Sequence, residues 1–254
     1  MLKAVLFDID NTLILFDEAQ YFQSYLKQLA RVFADLIPVN QFSQKLLAAS
    51  QALLYNEGTV SNAEYFMREF SIGIPAPRPE IWERFIRFYE NDYDQFQSLV
   101  TVPPGVREVL ETLLKMKMQL VIASNPMFPE MIQLKRLSWA GLDDLPYALI
   151  THVENMSYCK PRLEYYQQIC QKIATPPEAC LMVGNDPMND MIVNKIGMKT
   201  FLTLDGQAVD DSALSLSREL RAGNSEEIPT PDFKGPLLEV PQAVAQLLNK
   251  QSPL

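Results

Sequence analysis

The segment Ala4-Val5-Leu6-Phe7-Asp8-Ile9-Asp10-Asn11-Thr12 lies near the start of the 254-residue chain and indicates the fold class. Four apolar residues followed at once by polar ones indicate a short buried strand that ends in a loop. Residues two apart in extended backbone point the same way, so Asp8 and Asp10 can face one site. Ligands of a parallel sheet bind beyond the carboxyl ends of its strands. The residues after each predicted strand are therefore the candidates for chemistry.

Strands and helices alternate in the second part of the chain. Apolar runs predict further strands at 119–123, 148–150, 180–183 and 200–203. Helical spacing predicts helices at 163–173, 188–197 and about 240–250. Residues 206–236, rich in Asp, Ser, Gly and Pro, predict a long excursion with a short helix near 212–222. This alternation predicts an α/β fold, a doubly wound parallel sheet with helices on both faces.

The segment from residue 16 to residue 98 has a different pattern. It contains no convincing strand and predicts helices at 22–36, about 41–56, 61–72 and 80–94. The pattern changes at Pro103-Pro104-Gly105, after which strands and helices alternate. We therefore predict two domains, an α/β core of residues 1–15 and 99–254 and a smaller all-helical domain of residues 16–98.

Composition narrows the class of partner and the compartment. Lys and Arg total 22 against 31 Asp and Glu, a net charge of −9, which argues against nucleic acid or an anionic membrane as a partner. The N-terminus turns acidic too early for a signal peptide, and no apolar run approaches the roughly 18 residues of a membrane span. Three cysteines without paired spacing fit a reducing compartment. We expect a cytoplasmic monomer or homodimer.

The loop after the first strand carries paired carboxylates. Asp8 and Asp10 would repel each other unless a cation or a shared proton lay between them, and Mg²⁺ is the natural oxygen-bound cation. An aspartate can attack phosphorus, and its neighbour can manage protons. The alternative interpretation is a plain strand-end turn, where Asp and Asn are common.

Three other predicted strand ends carry groups that suit a phosphate or a cation. Ser124-Asn125-Pro126 offers a hydroxyl, an amide and main-chain N–H groups for a phosphate. Cys159-Lys160-Pro161 offers a lysine that can neutralise phosphate charge. Asp186 and Asp190 follow Gly184 and could complete an oxygen cage for a cation. Each motif alone also fits an ordinary turn, surface loop or helix cap. Together they supply a nucleophile, a cation site and phosphate donors.

These motifs, in this order, resemble the four motifs of the haloacid dehalogenase-like hydrolase superfamily. The matching residues are Phe7-Asp8-Ile9-Asp10-Asn11-Thr12-Leu13, Ser124-Asn125, Lys160-Pro161 and Gly184-Asn185-Asp186-Pro187-Met188-Asn189-Asp190. The resemblance covers almost the whole chain and implies a Rossmann-like catalytic core. It also implies that residues 16–98 are the mobile cap domain that many members insert between the first and second motifs.

The resemblance implies a role for each carboxylate. Asp8 would be the nucleophile and a magnesium ligand, and Asp10 the general acid–base with its main-chain carbonyl on the metal. Asp186 would complete the metal site, and Asp190 would orient that ligand or Lys160. Many relatives carry an aspartate directly after the glycine, where this chain has Asn185. The spacing in this chain is a variant that also occurs in the family.

The resemblance also implies a phosphate-binding set. Ser124 and Lys160 would hold the phosphoryl group, with Asn125 nearby, and Thr12 would support the loop. The activity implied is that of a magnesium-dependent phosphatase acting on a small phosphate monoester through an aspartyl-phosphate. A lid of helices would close over the strand ends, so we expect a small phosphorylated metabolite as substrate.

Several other activities stay open or are disfavoured. A phosphosugar mutase or other phosphotransferase shares the same core residues. Members that cleave carbon–halogen bonds generally lack the second aspartate, which Asp10 supplies here. A phosphonate-cleaving relative would need a cap lysine, and neither Lys27 nor Lys45 has a distinguishing context. A silent binding protein would be expected to lose Asp8 or Asp10. A nucleophilic Cys159 is disfavoured because the sequence places no partner for it.

Overall fold

A computed structural model describes residues 1–206 and 230–250. Within these residues one parallel sheet contains six strands in the order β3-β2-β1-β4-β5-β6. The strands are β1 Ala4–Phe7, β2 Gln119–Ile122, β3 Tyr147–Ile150, β4 Cys180–Gly184, β5 Lys199–Thr203 and β6 Phe233–Gly235. The predicted α/β fold is confirmed. The chain winds outward from β1 in both directions, so the topological switch lies between β1 and β4.

The central strand β1 is buried on both faces. Val5 and Phe7 join one apolar cluster, and Ala4 and Leu6 join another. This alternation is what the two faces of a strand require, and it explains why the run is apolar without a break. The helices that accompany the sheet in the described residues are α5 Val106–Lys115, α6 Glu130–Trp139, α7 Leu163–Lys172 and α8 Val240–Lys250.

The segment between β1 and α5 is helical, as predicted. Its helices are α1 Glu18–Val32, α2 Val39–Ala52, α3 Asn62–Phe70 and α4 Arg78–Asn91, with 3-10 turns at Leu53–Tyr55 and Tyr93–Leu99. Side chains of Asp17 and Ser61 cap α1 and α3 by accepting from main-chain N–H groups. Tyr21 and Phe33 belong to the same apolar cluster as Val5 and Phe7. The apolar core is therefore continuous from the sheet into the helical segment, and the two-domain division stays a prediction.

Two predicted helices differ from the structure. The helix predicted to reach residue 36 ends at Val32, and Pro38 instead precedes α2. Residues 188–197 form only a short 3-10 helix, Met191–Ile196. The loop before this helix is held in a turn, and Gly197, in the left-handed region (φ 82°), ends the helix.

Strand β6 was not predicted, since three residues are too short for a pattern, and its pairing with β5 creates it. The helix predicted near 212–222 lies outside the described residues. No helix in the described part of the chain has the length and hydropathy that a membrane crossing requires.

Candidate active site

The carboxyl ends of the sheet strands converge on one cavity of about 120 Å³. Parallel pairing places Phe7 beside Ile122 on one side and Val183 on the other, so the loops after β1, β2 and β4 start side by side. Six of the predicted site residues line the cavity: Asp8, Asp10, Asn125, Lys160, Asp186 and Asp190. Residues far apart in sequence therefore form one polar surface at the topological switch.

Lys160 lies at the centre of this surface. Its Nζ donates to Oδ1 of Asp8 at 2.8 Å and to Oδ1 of Asp190 at 2.6 Å, and the side chain is buried. Burial by itself would lower the pKa of Lys160, but the charges of Asp190 and Asp8 outweigh it and hold that pKa well above its usual value. The Lys160 main-chain N–H donates to Oδ1 of Asn125, which fixes the loop. Lys160 is thus a fixed positive charge against the predicted nucleophile.

Asp190 connects this lysine to the loop after β4. Its second oxygen accepts from the Asp186 N–H at 3.1 Å. Burial, with the nearby charges of Asp8 and Asp186, raises the pKa of Asp190 to about 7, although Lys160 opposes this. A Cβ on residue 184 would lie 2.1 Å from the same carboxylate, so only glycine fits at Gly184. The motif therefore needs a glycine at this position because the Asp190 carboxylate approaches the main chain of residue 184 closely.

Asp186 is held at the cavity wall by its own loop. Its Oδ1 accepts from the N–H groups of Met188 and Asn189, and its Oδ2 accepts from Nδ2 of Asn189 at 2.7 Å. Such bonds are typical of an aspartate that caps the turn before a helix. They also fix the direction of a carboxylate that lines the cavity beside Asp8.

Asp10 has a partner that the sequence analysis missed. It forms an ion pair with Nη2 of Arg136, whose side chain is 1% exposed in helix α6. Nη1 of Arg136 donates to Oε1 of Gln133, and burial lowers the pKa of Arg136 to about 10 against the opposing effect of Asp8. A signal was present, because Gln133 and Arg136 fall on the same buried stripe as Ile132 and Leu137.

Two predicted phosphate-binding residues lie beneath the site instead of in its wall. Thr12 and Ser124 are both buried, and neither is among the described residues that line the cavity. The main-chain oxygen of Ser124 accepts from the hydroxyls of Thr151 and Tyr165, which anchors the loop after β2. The loop after β1 turns through Asn11, whose φ of 51° is in the left-handed region that asparagine tolerates.

The donor set fits a hard divalent cation by its chemistry. Five carboxylates line the cavity, from Asp8, Asp10, Glu18, Asp186 and Asp190, against two buried cations, Lys160 and Arg136. The oxygen donors of the site therefore carry an excess of negative charge, which Mg²⁺ would offset. The described residues hold no group of three or more His, Cys, Asp or Glu side chains arranged for a metal. The predicted site needs only two such side chains, those of Asp8 and Asp186, plus the Asp10 carbonyl.

The remaining reactive groups have structural explanations. All three cysteines are free and buried, and burial raises the pKa of the Cys159 thiol to about 12, against the opposing effects of Arg162 and Asn62. That thiol stays protonated, so it is a poor nucleophile. The single histidine, His152, lies with Nδ1 2.6 Å from Oε2 of Glu154, outside the cavity wall.

Comparison with solved structures shows the same fold in several hydrolases. A phosphatase of the haloacid dehalogenase class from Thermococcus onnurineus is 19% identical (TM-score 0.55; 96% of this chain and 98% of that chain covered). A predicted phosphoglycolate phosphatase from Haemophilus somnus is 16% identical (TM-score 0.57; 96% and 98% covered). An L-2-haloacid dehalogenase from Xanthobacter autotrophicus is 19% identical (TM-score 0.53; 96% and 99% covered). At these identities the similarity shows the fold alone.

Sequence comparison identifies the family. No curated protein matches the chain. The family model described as hydrolase, haloacid dehalogenase-like hydrolase, matches residues 2–194, which include all four motifs and every residue lining the polar side of the cavity. A match over well more than half of the sequence, on the fold that these hydrolases share, shows that the chain belongs to the haloacid dehalogenase-like hydrolase family.

Proposed function

We propose that this hydrolase is a magnesium-dependent phosphatase that cleaves a small phosphate monoester through an aspartyl-phosphate on Asp8. The observation that carries the proposal is the pair Asp8 and Asp10, both lining one cavity with Lys160 on the nucleophile. A carbon–halogen hydrolase needs a nucleophile but no acid for a leaving oxygen. A second aspartate two residues on is therefore better explained by phosphate chemistry.

The two halves of the reaction use the same three side chains. Asp8 attacks phosphorus in line, and the bond from phosphorus to the ester oxygen breaks while Asp10 gives that oxygen a proton. Asp10 then takes a proton from a water molecule that attacks the aspartyl-phosphate, which releases phosphate and restores Asp8. Lys160 stabilises the added negative charge throughout. Bound Mg²⁺, held by Asp8, Asp186 and the Asp10 carbonyl, would neutralise phosphate charge.

The small size of the substrate is supported by what surrounds the site. Side chains from α1, α2, α3 and α4 line the cavity opposite the strand ends. Closing such a wall over the phosphate excludes water and strengthens the electrostatic interactions. A phosphotransferase would use the same residues but would have to keep water from the aspartyl-phosphate.

The decisive assay separates phosphate chemistry from halide chemistry. Purified protein with Mg²⁺ is tested for phosphate release from a panel of phosphorylated metabolites and 4-nitrophenyl phosphate, and for chloride release from 2-chloropropionate. We expect phosphate release that excess chelator abolishes and that Ca²⁺ restores poorly, because Ca²⁺ prefers longer, looser coordination. Chloride release without phosphate release would overturn the proposal, as would full phosphatase activity in excess chelator.

A further inference from the structure

The cavity has two chemically different sides. Facing the carboxylates is a wall of aromatic side chains contributed by α1, α3 and α4: Phe22, Tyr25, Phe66, Trp82, Phe85 and Tyr89. Such a wall favours apolar surface over solvated polar groups, because burying apolar area is favourable and burying unpaired polar groups is not. The leaving group of a phosphate ester held by the carboxylate side would lie against this wall.

Helix α1 shows how the two sides are arranged. Glu18, Phe22 and Tyr25 all line the cavity and are spaced four and three residues apart, so they form one stripe along the helix. Glu18 begins the helix and its Oε1 accepts from Nδ2 of Asn11, in the catalytic loop. The charged residue of this stripe therefore lies beside the loop after β1, where the phosphate would bind, and the rings lie further from that loop.

The tyrosines of the wall offer rings and little hydrogen bonding. The hydroxyl groups of Tyr25 and Tyr89 bond each other at 2.8 Å, so this pair leaves one O–H donor between the two rings. Burial raises the pKa of both hydroxyls, which keeps them neutral. This pair could therefore satisfy one polar atom of a leaving group but not several.

Among the residues that the structure describes, no spare basic side chain lines the cavity beside the aromatic wall. Among the described residues that line the cavity, Lys160 is the one basic side chain, and Asp8 and Asp190 engage it. Arg136 is buried against Asp10. A substrate whose leaving group carries a second anionic group would therefore bring an unpaired charge against the rings, which is costly.

The size of the cavity limits the leaving group. Its volume of about 120 Å³ includes the space for the phosphate and is below that of apolar protein cavities of about 150 Å³, which bind benzene. The leaving group can therefore be no larger than one ring or a short branched chain.

We propose that the aromatic wall is a subsite for an uncharged apolar leaving group of about one ring, so that the substrate is a phosphate monoester of a phenol or a similarly small apolar alcohol. This inference rests on the proposed phosphatase function. It excludes carboxylated esters such as phosphoglycolate, polyhydroxylated sugar phosphates and nucleotides as preferred substrates. The discrimination comes from the unpaired charge or hydroxyl groups that such substrates would bury.

The test uses ester pairs that differ in charge but little in shape. The pairs are 4-carbamoylphenyl against 4-carboxyphenyl phosphate, ethyl phosphate against phosphoglycolate, and 3,3-dimethylbutyl phosphate against phosphocholine. We expect kcat/KM to favour the uncharged member of each pair by about tenfold or more. A preference for either carboxylate, or for the quaternary ammonium that an aromatic cage can also bind, would overturn the proposal.

A variant pair tests the wall itself. Trp82 lines the cavity, whereas Trp139 stacks on Tyr93 and is not in the lining. Trp82→Lys should lower the preference for the carbamoyl over the carboxyl ester by about tenfold, because it supplies the missing cation. Trp139→Lys should leave that ratio within about twofold, since a distant site couples weakly. Equal shifts in both variants would contradict the assignment, and thermal unfolding of each protein checks that it is folded.

Binding without turnover separates this inference from the catalytic one. Benzylphosphonate and phosphonoacetate are titrated calorimetrically into the intact protein with Mg²⁺. Tighter binding of benzylphosphonate, even if no ester were hydrolysed, would support the apolar subsite while the phosphatase proposal failed. Equal or tighter binding of phosphonoacetate would overturn the subsite, whatever the enzyme hydrolyses.

Discussion

Nζ of Lys160 lies 2.8 Å from Oδ1 of Asp8, and both side chains are buried. The same ammonium group lies 2.6 Å from Oδ1 of Asp190. A charge so deeply buried is stable only when it is paired and hydrogen-bonded, so the lysine and the two carboxylates depend on one another. This dependence links the stability of the fold to the chemistry of the site.

Replacing Lys160 by Met should therefore damage both stability and activity. Removing one partner of a buried ion pair costs about 3–5 kcal/mol, because the remaining charges are left uncompensated. Chemical denaturation measures the loss, and the double variant with Asp190→Asn should recover part of the stability but none of the activity. Lys135→Met is the control, since its pair with Asp94 is on the surface and is worth at most about 1 kcal/mol. An unchanged denaturation midpoint for Lys160→Met would contradict the pairing.

Asp8→Asn should abolish turnover and leave the fold intact. The amide keeps the shape of the side chain and can still accept from Lys160, but it is not a nucleophile for phosphorus. We expect phosphate release to fall by several orders of magnitude, about 10³-fold or more, and no phosphorylated protein to appear in quenched samples by mass spectrometry. Asp17→Asn, at the adjacent helix cap, is the matched control and should stay active. Near-normal turnover by Asp8→Asn would refute the mechanism.

Asp10→Asn should distinguish leaving groups. As general acid, Asp10 protonates the departing oxygen, which an alkyl ester needs far more than an aryl ester. The loss of kcat/KM on ethyl phosphate should therefore exceed the loss on 4-nitrophenyl phosphate by about tenfold or more. Equal losses on the two esters would argue against the acid role of Asp10.

Arg136 is a positioning residue in this arrangement. It contacts the carboxylate of Asp10 and does not itself line the cavity among the described residues. Arg136→Met should lower kcat by up to about a hundredfold with little change in KM, because a misplaced acid group slows chemistry more than binding. Arg136→Lys should restore part of kcat by returning the charge. Arg107→Lys, on a surface pair with Asp144, is the control. A fall in stability with kcat unchanged would leave Arg136 with a purely structural role.

The helical segment should be removable as a unit. Leu15 and Thr101 exchange two main-chain hydrogen bonds of 2.8 Å, so the two ends of the segment are adjacent and a short linker can replace residues 17–98. The shortened chain should retain weak magnesium-dependent cleavage of an aryl phosphate but lose selectivity among metabolites, because the aromatic wall leaves with the helices. Circular dichroism and thermal unfolding check that the core folds. Selectivity equal to that of the intact protein would refute the assignment of specificity to this segment.

The size limit on the substrate is tested on the intact protein. Specificity constants for small esters are compared with those for a panel of phosphopeptides and phosphoproteins. Small esters should be preferred, since the wall closes the cavity above the strand ends. Faster turnover of phosphoproteins than of every small ester would contradict the role of the helices as a lid.

Five of the six described strands, and the helical character of residues 16–98, could be predicted from the sequence. The unbroken apolar run of β1 and the helical stripes of residues 16–98 indicate which side chains are buried. This signal comes from the local spacing of apolar residues and does not depend on what each element packs against. The sequence also placed the chemical motifs at strand ends, where a parallel sheet must gather them. Short features failed because local pattern is too weak there: β6 exists only through its pairing with β5, and Met191–Ile196 is a 3-10 turn.

Which side chains contact one another depends on the tertiary structure. Lys160 and Asp8 are 152 residues apart, and their contact joins the loop after β3 to the loop after β1, with β2 lying between those two strands. Neither the helix Glu130–Trp139 nor a role for Arg136 was predicted from the sequence, and the burial of Arg136 against Asp10 is a property of packing. The aromatic wall likewise consists of residues whose periodicity shows that they are buried. Periodicity records that a side chain leaves water, and only the folded chain determines what it then touches.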